Sequence, residues 1–291
     1  MELKTKSSEN IGIVGLGLIG GSLGLDLQNL GYTVYGITHR EKTAQKARER
    51  KLAQIVSTDP SVLNNCSLIY IALPLEQLLN PSSDLINAIP KNAAVTDVGS
   101  VKVPILRTWN RLHPRFVASH PMTGTEEFGV NAGQHNLFNN KPWVVTPNKD
   151  TDQEALEKFH QISLLLGCKW ITAEAQIHDE AVGLISHLPV IVSSTLLNTF
   201  RTDINPSVYA LAKSIASSGF ADTSRVGGGN PELGVSMAKF NKKNLMNSLL
   251  AFRQSLDLFE KYLLEENWNE LEKILVSAQK ERQNFMSEPT N

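Results

Sequence analysis

Short hydrophobic runs alternate with amphipathic stretches over the first half of the chain. Apolar runs typical of strands lie near residues 11–14, 33–37, 68–73, 94–97, 116–119 and 143–146. Helical patterns lie near residues 18–30, 41–50, 76–88 and 103–112, and a last helix–strand pair covers 153–166 and 169–172. Strands that alternate with helices are typical of a parallel sheet covered by helices.

Helical periodicity takes over after about residue 174. One apolar stripe advances in steps of four and three, at Ile177, Ala181, Leu184, Leu188 and Ile191. A second stripe has the same spacing, at Leu245, Leu249, Phe252, Leu256, Phe259 and Leu263. This spacing is typical of closely packed helices, and Pro189 predicts a kink. Both stripes are expected to form helical core, and two long apolar faces in one small lobe favour a homodimer.

Composition and charge narrow the functional classes. The 291 residues include 28 Lys+Arg and 29 Asp+Glu, which gives a net charge of −1. A near-neutral chain lacks the basic face that nucleic-acid binding usually requires. The two cysteines, Cys66 and Cys168, are too few for a disulfide framework or a cysteine-based metal site. Unclustered thiols favour a reducing, cytoplasmic setting. We therefore expect no nucleic-acid partner and no metal.

The longest apolar stretch does not predict a membrane span. Residues 182–200 are interrupted by several polar residues and by Pro189. A span needs about 20 mostly apolar residues, so a buried helix is expected here. The first ten residues are polar and lack the apolar run of a signal peptide.

A glycine-rich loop follows the first predicted strand and opens the first predicted helix. Its residues are Gly15, Leu16, Gly17, Leu18, Ile19 and Gly20. In a dinucleotide-binding fold the first glycine makes a tight turn, the second admits the pyrophosphate and the third lets helix and strand pack closely. The helix N-terminus offers free N–H groups to the phosphates. The pattern therefore predicts an N-terminal Rossmann-type dinucleotide-binding domain over residues 1–174 and an all-α dimerisation domain over 175–291.

The end of the second predicted strand bears on the choice of cofactor. NAD-preferring sites usually carry an acid there that accepts hydrogen bonds from the ribose 2′-hydroxyl. This chain has Thr38, His39 and Arg40 instead, with Lys42 close behind. A hydroxyl and a guanidinium would hold a 2′-phosphate, so NADP is predicted over NAD. Alternatively, Arg40 and Lys42 only begin a solvated basic helix.

Two polar residues follow the ends of predicted strands, where side chains face the ligand crevice of a parallel sheet. His120 comes after strand 116–119 and starts a loop, and Ser100 comes just past strand 94–97. A nicotinamide enzyme that oxidises an alcohol needs a base for the hydroxyl proton, and histidine has a suitable pKa. His120 is the leading candidate, although a lone histidine is more often structural.

Several sequence blocks resemble the prephenate/arogenate dehydrogenase family. The segment 119–126, Ser-His-Pro-Met-Thr-Gly-Thr-Glu, is similar to that family's His-Pro-x-x-Gly-x-Glu loop, and 97–102, Asp-Val-Gly-Ser-Val-Lys, resembles its serine loop. Blocks 185–189 and 219–225 resemble two motifs of its helical domain. With the opening glycine loop, the resemblance spans most of the chain in the right order.

The resemblance implies oxidative decarboxylation of a cyclohexadienol, a small-molecule substrate, in tyrosine biosynthesis. His120 would withdraw the ring hydroxyl proton while hydride passes to the nicotinamide, and Ser100 would share the hydroxyl or orient His120. Arg225 would hold a substrate carboxylate, His187 would line the same pocket, and Glu126 would act as a polar gate. Each also has a structural alternative: Arg225 could cap a helix or pair with Asp222, His187 could bond carbonyls freed by the kink, and Glu126 could be a solvated acid.

Two departures from the family pattern favour arogenate over prephenate. Ala221 stands where the family often has arginine, and Val190 stands where many prephenate-specific members have histidine. Arogenate carries an ammonium group beside its side-chain carboxylate, and fewer cationic residues suit that zwitterion better. The chain also ends soon after the helical region, so a single activity is expected.

Three alternative functions stay open at this point. The first is a prephenate dehydrogenase. The second is a β-hydroxyacid-type dehydrogenase with a catalytic lysine, for which the helical region offers Lys213, Lys239, Lys242 and Lys243. The third is a non-catalytic NADP-binding sensor, because dinucleotide domains serve many functions. A sensor would not need a base and an anion-binding arginine in one cleft.

Overall fold

Six parallel strands form the larger sheet of the protein. The structure is a computed structural model that describes residues 9–201 and 204–287. The strands are β1 (Asn10–Val14), β2 (Thr33–Ile37), β3 (Ile55–Ser57), β4 (Leu68–Ile71), β5 (Ala94–Asp97) and β6 (Phe116–Val117). Their order is β3-β2-β1-β4-β5-β6, so the chain reverses its direction of travel between β1 and β4. Ligands of such sheets bind at this switch point, beyond the carboxyl ends of the strands.

Helices cover both faces of this sheet. Alternate strand residues face opposite sides, so the apolar side chains of the strands lie on both faces and pack against helices there. Their bounds are α1 (Leu18–Asn29), α2 (Glu41–Glu49), α3 (Leu75–Leu79), α4 (Ser83–Ala88), α5 (Val103–Leu112) and α6 (Gln153–Leu165). Leu68 and Tyr70 of β4 belong to one buried apolar cluster. Ile69 and Ile71 belong to the other. The predicted α/β class is confirmed by this layered arrangement.

A second, three-stranded sheet departs from the single parallel sheet that the sequence predicts. It contains β7 (Ser119–Pro121), β8 (Pro142–Val145) and β9 (Lys169–Thr172). β7 is antiparallel to β8 and β9 is parallel to it. The predicted strand over 116–119 is therefore two strands, because the chain leaves the first sheet at Ala118. Two further differences are β3, which was not predicted, and the break of the helix predicted over 76–88 into α3 and α4.

Helices follow from residue 175 onward. The first region has α7 (Ala175–Val182), a π-helical turn (Gly183–His187) and α8 (Leu188–Asn198). After a 3-10 turn at Thr199–Arg201 come α9 (Pro206–Ile215), α10 (Ser218–Ser224), a 3-10 turn (Arg225–Gly228) and α11 (Pro231–Phe240). Pro189 lies in the first turn of α8, so the distortion predicted there takes the form of a π-helical turn just before it.

The apolar stripe of this first region does not form core within the chain. Ile177 and Leu184 are 57% and 53% exposed, whereas His178 and Asp179 on the other face of α7 are each 3% exposed. The stretch Ala175–Arg201 is also long and apolar enough to cross a membrane by length and composition, and only 22% of its most apolar window is buried. The expected buried helix is therefore buried on its polar face, because that face packs against the start of α5.

Two compact units divide the chain after Lys242. The second unit contains most of α12 (Lys242–Leu264) and all of α13 (Trp268–Met286). Its apolar side chains are widely exposed, with Leu256 54% and Leu264 79% accessible to solvent. The domain boundary between residues 174 and 175 stays a prediction, since it does not coincide with this division.

Candidate active site

The glycine loop after β1 has the geometry of a dinucleotide cradle. Gly15 has a φ of +94°, and a Cβ there would lie 2.3 Å from the carbonyl oxygen of Ala72. A Cβ on Gly20 would lie 1.9 Å from the carbonyl oxygen of Gly15. Around Gly17, in contrast, a Cβ would have no neighbour within 4 Å. Two glycines are thus needed for packing, and the middle one leaves open space where a pyrophosphate can approach the backbone.

The start of α1 provides the donors for such an anion. Gly17 is the N-cap residue and supplies no side chain to cap the helix. The first-turn N–H groups, which include those of Leu18 and Ile19, lack intrahelical partners at any helix start and attract anions. Leu16 is buried against Gly36, where its Cδ1 atom would lie 2.6 Å from an added Cβ, so its side chain is core. These residues fit the pyrophosphate of a dinucleotide.

The end of β2 carries exposed cationic and polar side chains. Thr38 is buried, and its hydroxyl donates a hydrogen bond of 3.3 Å to the carbonyl oxygen of Arg40. His39 and Arg40 are exposed. The next acid, Glu41, forms an ion pair of 2.6 Å with Arg48. Within the described residues the Arg40 guanidinium has no salt-bridge partner, so it is available to an anionic group.

The sequence predicts that His120 starts a loop, but the structure places His120 within a strand. It is the central residue of β7 and pairs with Val144 of β8. Ser119, the residue before it, is fully buried. Its N–H donates to Asp97 Oδ1 at 3.1 Å and its hydroxyl donates to the Asp97 carbonyl oxygen at 2.8 Å. The His120 backbone is therefore tied to the end of β5.

A hydrogen-bonded chain connects His120 to two residues of α7. His120 Nδ1 lies 2.9 Å from His178 Nε2, and His178 Nδ1 lies 2.8 Å from Asp179 Oδ1. The Asp179 carboxylate also accepts the backbone N–H groups of Lys102 at 2.6 Å and Val103 at 2.9 Å. It thereby satisfies the first N–H groups of α5. Asp179 orients His178 and stabilises a helix start at the same time.

This chain of hydrogen bonds determines the tautomer of His120. The Asp179 carboxylate can only accept, so His178 Nδ1 must donate and its Nε2 must accept when the ring is neutral. His120 Nδ1 then carries the proton that it donates to His178. The unprotonated nitrogen is His120 Nε2, which has no hydrogen-bond partner among the described residues. A ring held in this way can accept a proton from a substrate hydroxyl.

The lowered pKa of His120 keeps the ring in the form that can accept a proton. Burial lowers this pKa well below 6.5, and the neighbouring His178, Lys102 and His187 lower it further because a second positive charge is unfavourable there. His120 is consequently neutral near pH 7 and keeps its Nε2 lone pair.

His187 is a second buried histidine near the same group. The Asn241 side-chain amide donates to the Asp179 carbonyl oxygen at 2.7 Å and lies 3.1 Å from His187 Nδ1. His187 Nδ1 therefore accepts, and Nε2 carries the hydrogen. That buried Nε2 has no hydrogen-bond partner among residues 9–201 and 204–287, and burial lowers the pKa of His187 to about 4. The ring is thus neutral with one unused donor, and it bonds to Asn241 instead of to carbonyls at the kink.

The structure does not bring every predicted site residue into contact with His120. Ser100 is partly exposed, and no hydrogen bond joins it to His120 among the described residues. Glu126 and Arg225 are exposed. Neither has an ion pair there, so the alternative pairing of Arg225 with Asp222 is not formed. Their assignments stay predictions.

Arg225 is held indirectly through the 3-10 turn that it begins. Gly227 N–H donates to the hydroxyl of Ser193 in α8 at 2.8 Å, and Ser193 is 2% exposed. A Cβ on Gly227 would lie 2.6 Å from Ser193 and Ser194 backbone atoms. The turn therefore sits tightly on α8 while the arginine side chain extends into solvent.

His178 and Asp179 are the residues that sequence reasoning missed. Both are polar, adjacent and located on a helix whose apolar stripe at Ile177 drew attention to the opposite face. An acid directly after a histidine, on the face of α7 opposite Ile177, was the available signal. It could not reveal a contact with His120, which lies 58 positions away.

Comparison with known proteins places these features in one family. Residues 23–172 match the family described as "Prephenate dehydrogenase, nucleotide-binding domain", and residues 174–277 match "Prephenate dehydrogenase, dimerization domain". The chain belongs to the prephenate dehydrogenase family. As a member of that family it is an NAD(P)-dependent dehydrogenase, and the resemblance seen in the sequence is confirmed.

The chain is similar to relatives named arogenate dehydrogenase and to relatives named prephenate dehydrogenase. The crystal structure of Synechocystis arogenate dehydrogenase is 39% identical, covers 95% of this chain and 100% of its own, and has a TM-score of 0.80. The A. aeolicus prephenate dehydrogenase, solved with hydroxyphenyl propionate and NAD+, is 27% identical, with coverages of 96% and 99% and a TM-score of 0.87. Prephenate dehydrogenase of Bacillus subtilis is 28% identical over 93% of this chain and 74% of its own.

Proposed function

We propose that this family member oxidises and decarboxylates arogenate to tyrosine with NADP as the hydride acceptor. The observation that carries the proposal is the hydrogen-bonded chain from His120 through His178 to Asp179, with His120 Nε2 left free to accept a proton. His120 also follows the carboxyl end of β6 in the first sheet, and ligands of such sheets bind beyond the carboxyl ends of the strands.

The chemistry follows from the state of His120. Nε2 accepts the proton of the substrate ring hydroxyl as the carbonyl begins to form. The resulting positive ring is stabilised by its Nδ1–H bond to His178, whose own ring is held by the Asp179 carboxylate. A bound nicotinamide supplies the hydride acceptor. Loss of the ring carboxylate as carbon dioxide then produces an aromatic ring, which makes the reaction effectively irreversible.

The remaining predicted residues hold the substrate. We assign Arg225 to a substrate carboxylate, because its planar guanidinium binds a carboxylate with two parallel hydrogen bonds. His187 Nε2–H is a buried donor that has no partner in the part of the chain that the structure describes, which suits a substrate oxygen. Ser100 shares the ring hydroxyl or orients His120, and Glu126 is a polar gate at the mouth of the pocket.

Arogenate is proposed over prephenate for two reasons. Val190 lies three positions after His187 in the same helical stretch, so it faces the same side without adding the further histidine found in many prephenate-specific relatives. The Synechocystis arogenate dehydrogenase also has the higher identity, 39% against 27% for the A. aeolicus prephenate dehydrogenase. Prephenate dehydrogenation to 4-hydroxyphenylpyruvate is the alternative.

NADP is proposed over NAD on the residues at the end of β2. Arg40 is exposed and without a salt-bridge partner in the described part of the chain, and His39 beside it is exposed too. The nearby acid, Glu41, is engaged by Arg48 at 2.6 Å. A 2′-phosphate would therefore meet a cation and no free carboxylate.

A homodimer in the cytoplasm is proposed as the working form. Residues 174–277 match a dimerisation domain, and the exposed apolar side chains of this region, such as Ile177 and Leu184, suit burial against a second copy. Dimerisation would cover the apolar face of Ala175–Arg201 that otherwise resembles a membrane helix.

Initial rates with four substrate–cofactor pairs test the proposal. Arogenate and prephenate are each measured with NADP and NAD, and we expect the highest kcat/KM for arogenate with NADP. Replacing Arg40 with Ala should lower kcat/KM for NADP and leave that for NAD unchanged, with Lys46→Ala as a control. A higher kcat/KM for prephenate would overturn the substrate assignment.

A second experiment tests the role of His120 against the other enzyme and sensor functions. His120→Asn should reduce kcat by about 100-fold or more while NADPH binding, followed by fluorescence, is retained. A variant with nearly unchanged turnover would favour a catalytic lysine in the helical region. A wild-type chain that binds NADPH but oxidises neither substrate would favour the sensor.

A further inference from the structure

A buried ion pair lies directly beneath the His120 strand and is not explained by substrate or cofactor binding. Lys102 and Asp97 are both fully buried and their side chains form a salt bridge. Lys102 Nζ also donates to the Ser119 carbonyl oxygen at 2.5 Å. Being inaccessible, Lys102 cannot touch the reacting atoms, so its role must be exerted through its neighbours.

The Asp97 carboxylate accepts hydrogen bonds from three donors. They are the N–H of Gly99 at 2.7 Å, the N–H of Ser119 at 3.1 Å and the ammonium group of Lys102. Burial raises the pKa of Asp97 and lowers that of Lys102, and the charge of each opposes the shift of the other. With three donors on one carboxylate, the pair is held as an ion pair.

The Lys102–Asp97 pair forms hydrogen bonds with both backbone polar groups of Ser119, the residue before His120. Asp97 accepts the N–H of Ser119, and Lys102 donates to its carbonyl oxygen. That carbonyl belongs to the peptide whose nitrogen is in His120. Fixing this peptide fixes the direction in which the His120 side chain leaves β7.

Lys102 reaches His120 by a second route as well. Its backbone N–H donates to Asp179 Oδ1 at 2.6 Å, the same oxygen that accepts His178 Nδ1. One residue therefore positions both the backbone of His120 and the acid that orients the partner of its ring.

We propose that the buried Lys102–Asp97 ion pair positions His120 as the base. The charged and titratable groups around His120 are Lys102 at the start of α5, His178 and Asp179 on α7, and His187 on the π-helical turn. Asp97, at the end of β5, neutralises Lys102. The positive charge of Lys102 is one cause of the lowered pKa of His120, so removing it should raise that pKa. The kinetic part of this inference rests on the proposed function, and the spectroscopic part does not.

Variants of the pair separate positioning from folding. Lys102→Met leaves Asp97 uncompensated in the interior, which is destabilising. The double variant Asp97→Asn/Lys102→Met removes both charges with little change in volume, and such replacements often preserve folding. Lys158→Met is the control for loss of a lysine charge, because Lys158 forms partly exposed ion pairs with Glu9 and Glu154 instead of a buried pair.

The decisive measurement is an NMR titration of histidine-labelled protein, with the His120 signals assigned by their loss in His120→Asn. In the wild type and in Lys158→Met we expect His120 to titrate below 6.5 and to show a protected Nδ1–H signal from its bond to His178. In Lys102→Met, which removes the positive charge and keeps Asp97, we expect the His120 titration to move to higher pH. In both pair variants we expect the Nδ1–H signal to be lost. The acid limb of kcat/KM of Lys102→Met should also move to higher pH, and kcat of both variants should fall by about 100-fold at unchanged NADPH affinity.

Each result then has a defined meaning. The inference is overturned if a folded pair variant keeps the Nδ1–H signal of the wild type, because the bond from His120 to His178 would then form without the ion pair. It is also overturned if neither variant folds, since the pair would then serve folding instead of positioning. A wild type that oxidises neither arogenate nor prephenate defeats the proposed function alone, because the NMR result is obtained without substrate.

Discussion

The buried state of His187 predicts a pH dependence of stability that can be measured without any ligand. The ring is 1% exposed, and its pKa falls from 6.5 to about 4 because burial disfavours the charged form. The unfolded chain exposes the ring and takes up a proton near pH 6.5. Below that pH the unfolded state therefore binds more protons than the folded state, and stability falls as pH falls toward about 4.

The size of this effect follows from the two pKa values. Between pH 7.5 and pH 5 the unfolded ring becomes almost fully protonated while the folded ring stays mostly neutral. The linkage relation then gives a loss of about 2 kcal/mol of unfolding free energy from His187 alone. Other groups add pH dependence of their own, so the quantity to measure is the difference between the wild type and a variant without this imidazole.

Urea unfolding at pH 7.5 and pH 5 measures that difference. His187→Asn keeps an acceptor near the position of Nδ1 for the Asn241 amide and cannot titrate. We expect the variant to be less stable at pH 7.5, because it leaves a cavity, but to lose about 2 kcal/mol less than the wild type on going to pH 5. His39→Gln is the control, since His39 is exposed, and it should follow the wild type. Protein concentration is held constant because association changes apparent stability.

One outcome would refute the reasoning. If the wild type and His187→Asn lose the same free energy between the two pH values, His187 does not remain neutral in the folded state. Its assignment as a buried N–H donor for a substrate oxygen would then fail with it.

Three further predictions concern the cofactor loop, the base and the arginine turn. Gly17→Ala should leave the Tm of the ligand-free protein unchanged, since a Cβ there has no neighbour within 4 Å, but should weaken NADPH binding measured by fluorescence. Gly20→Ala should lower both the Tm and the affinity for NADPH, because its Cβ would lie 1.9 Å from a backbone oxygen. Equal effects of Gly17→Ala and Gly20→Ala on the Tm would contradict this geometry. His178→Asn should lower kcat by at least about 10-fold at constant NADPH affinity, and an unchanged kcat would show that His120 needs no partner. Ser193→Ala removes the acceptor of the Gly227 N–H and should cost about 1 kcal/mol and raise the substrate KM, whereas an unchanged KM would separate this turn from substrate binding.

Local features of the fold were predictable because their signals lie within a few residues. The glycine loop contains its own turn, open space and helix start, so the pattern from Gly15 to Gly20 was sufficient to predict a dinucleotide fold. The strands at Thr33–Ile37 and Ala94–Asp97 also occur with the predicted bounds. The strand Ile55–Ser57 was missed because it has three residues, all at least partly exposed, and no alternating pattern.

Contacts between distant residues were not predictable from spacing. The second sheet depends on pairing of Ser119–Pro121 with a strand more than 20 positions later, and nothing local indicates that the chain changes sheets at Ala118. The same limit applies to the site. His120 could be selected as a strand-end histidine, but its partner His178 depends on how α7 packs, and the exposed stripe of that helix pointed to the opposite face.

The turn that begins with Arg225 is fastened to α8 through Gly227 and Ser193, and the His120 imidazole is bonded to His178 on α7. Both helices belong to one helical stretch, Ala175–Arg201, joined by the π-helical turn. Under the proposed function, the residue that binds the substrate carboxylate and the residue that removes the proton would therefore share one support. A substitution that shifts this stretch would then change substrate affinity and turnover together.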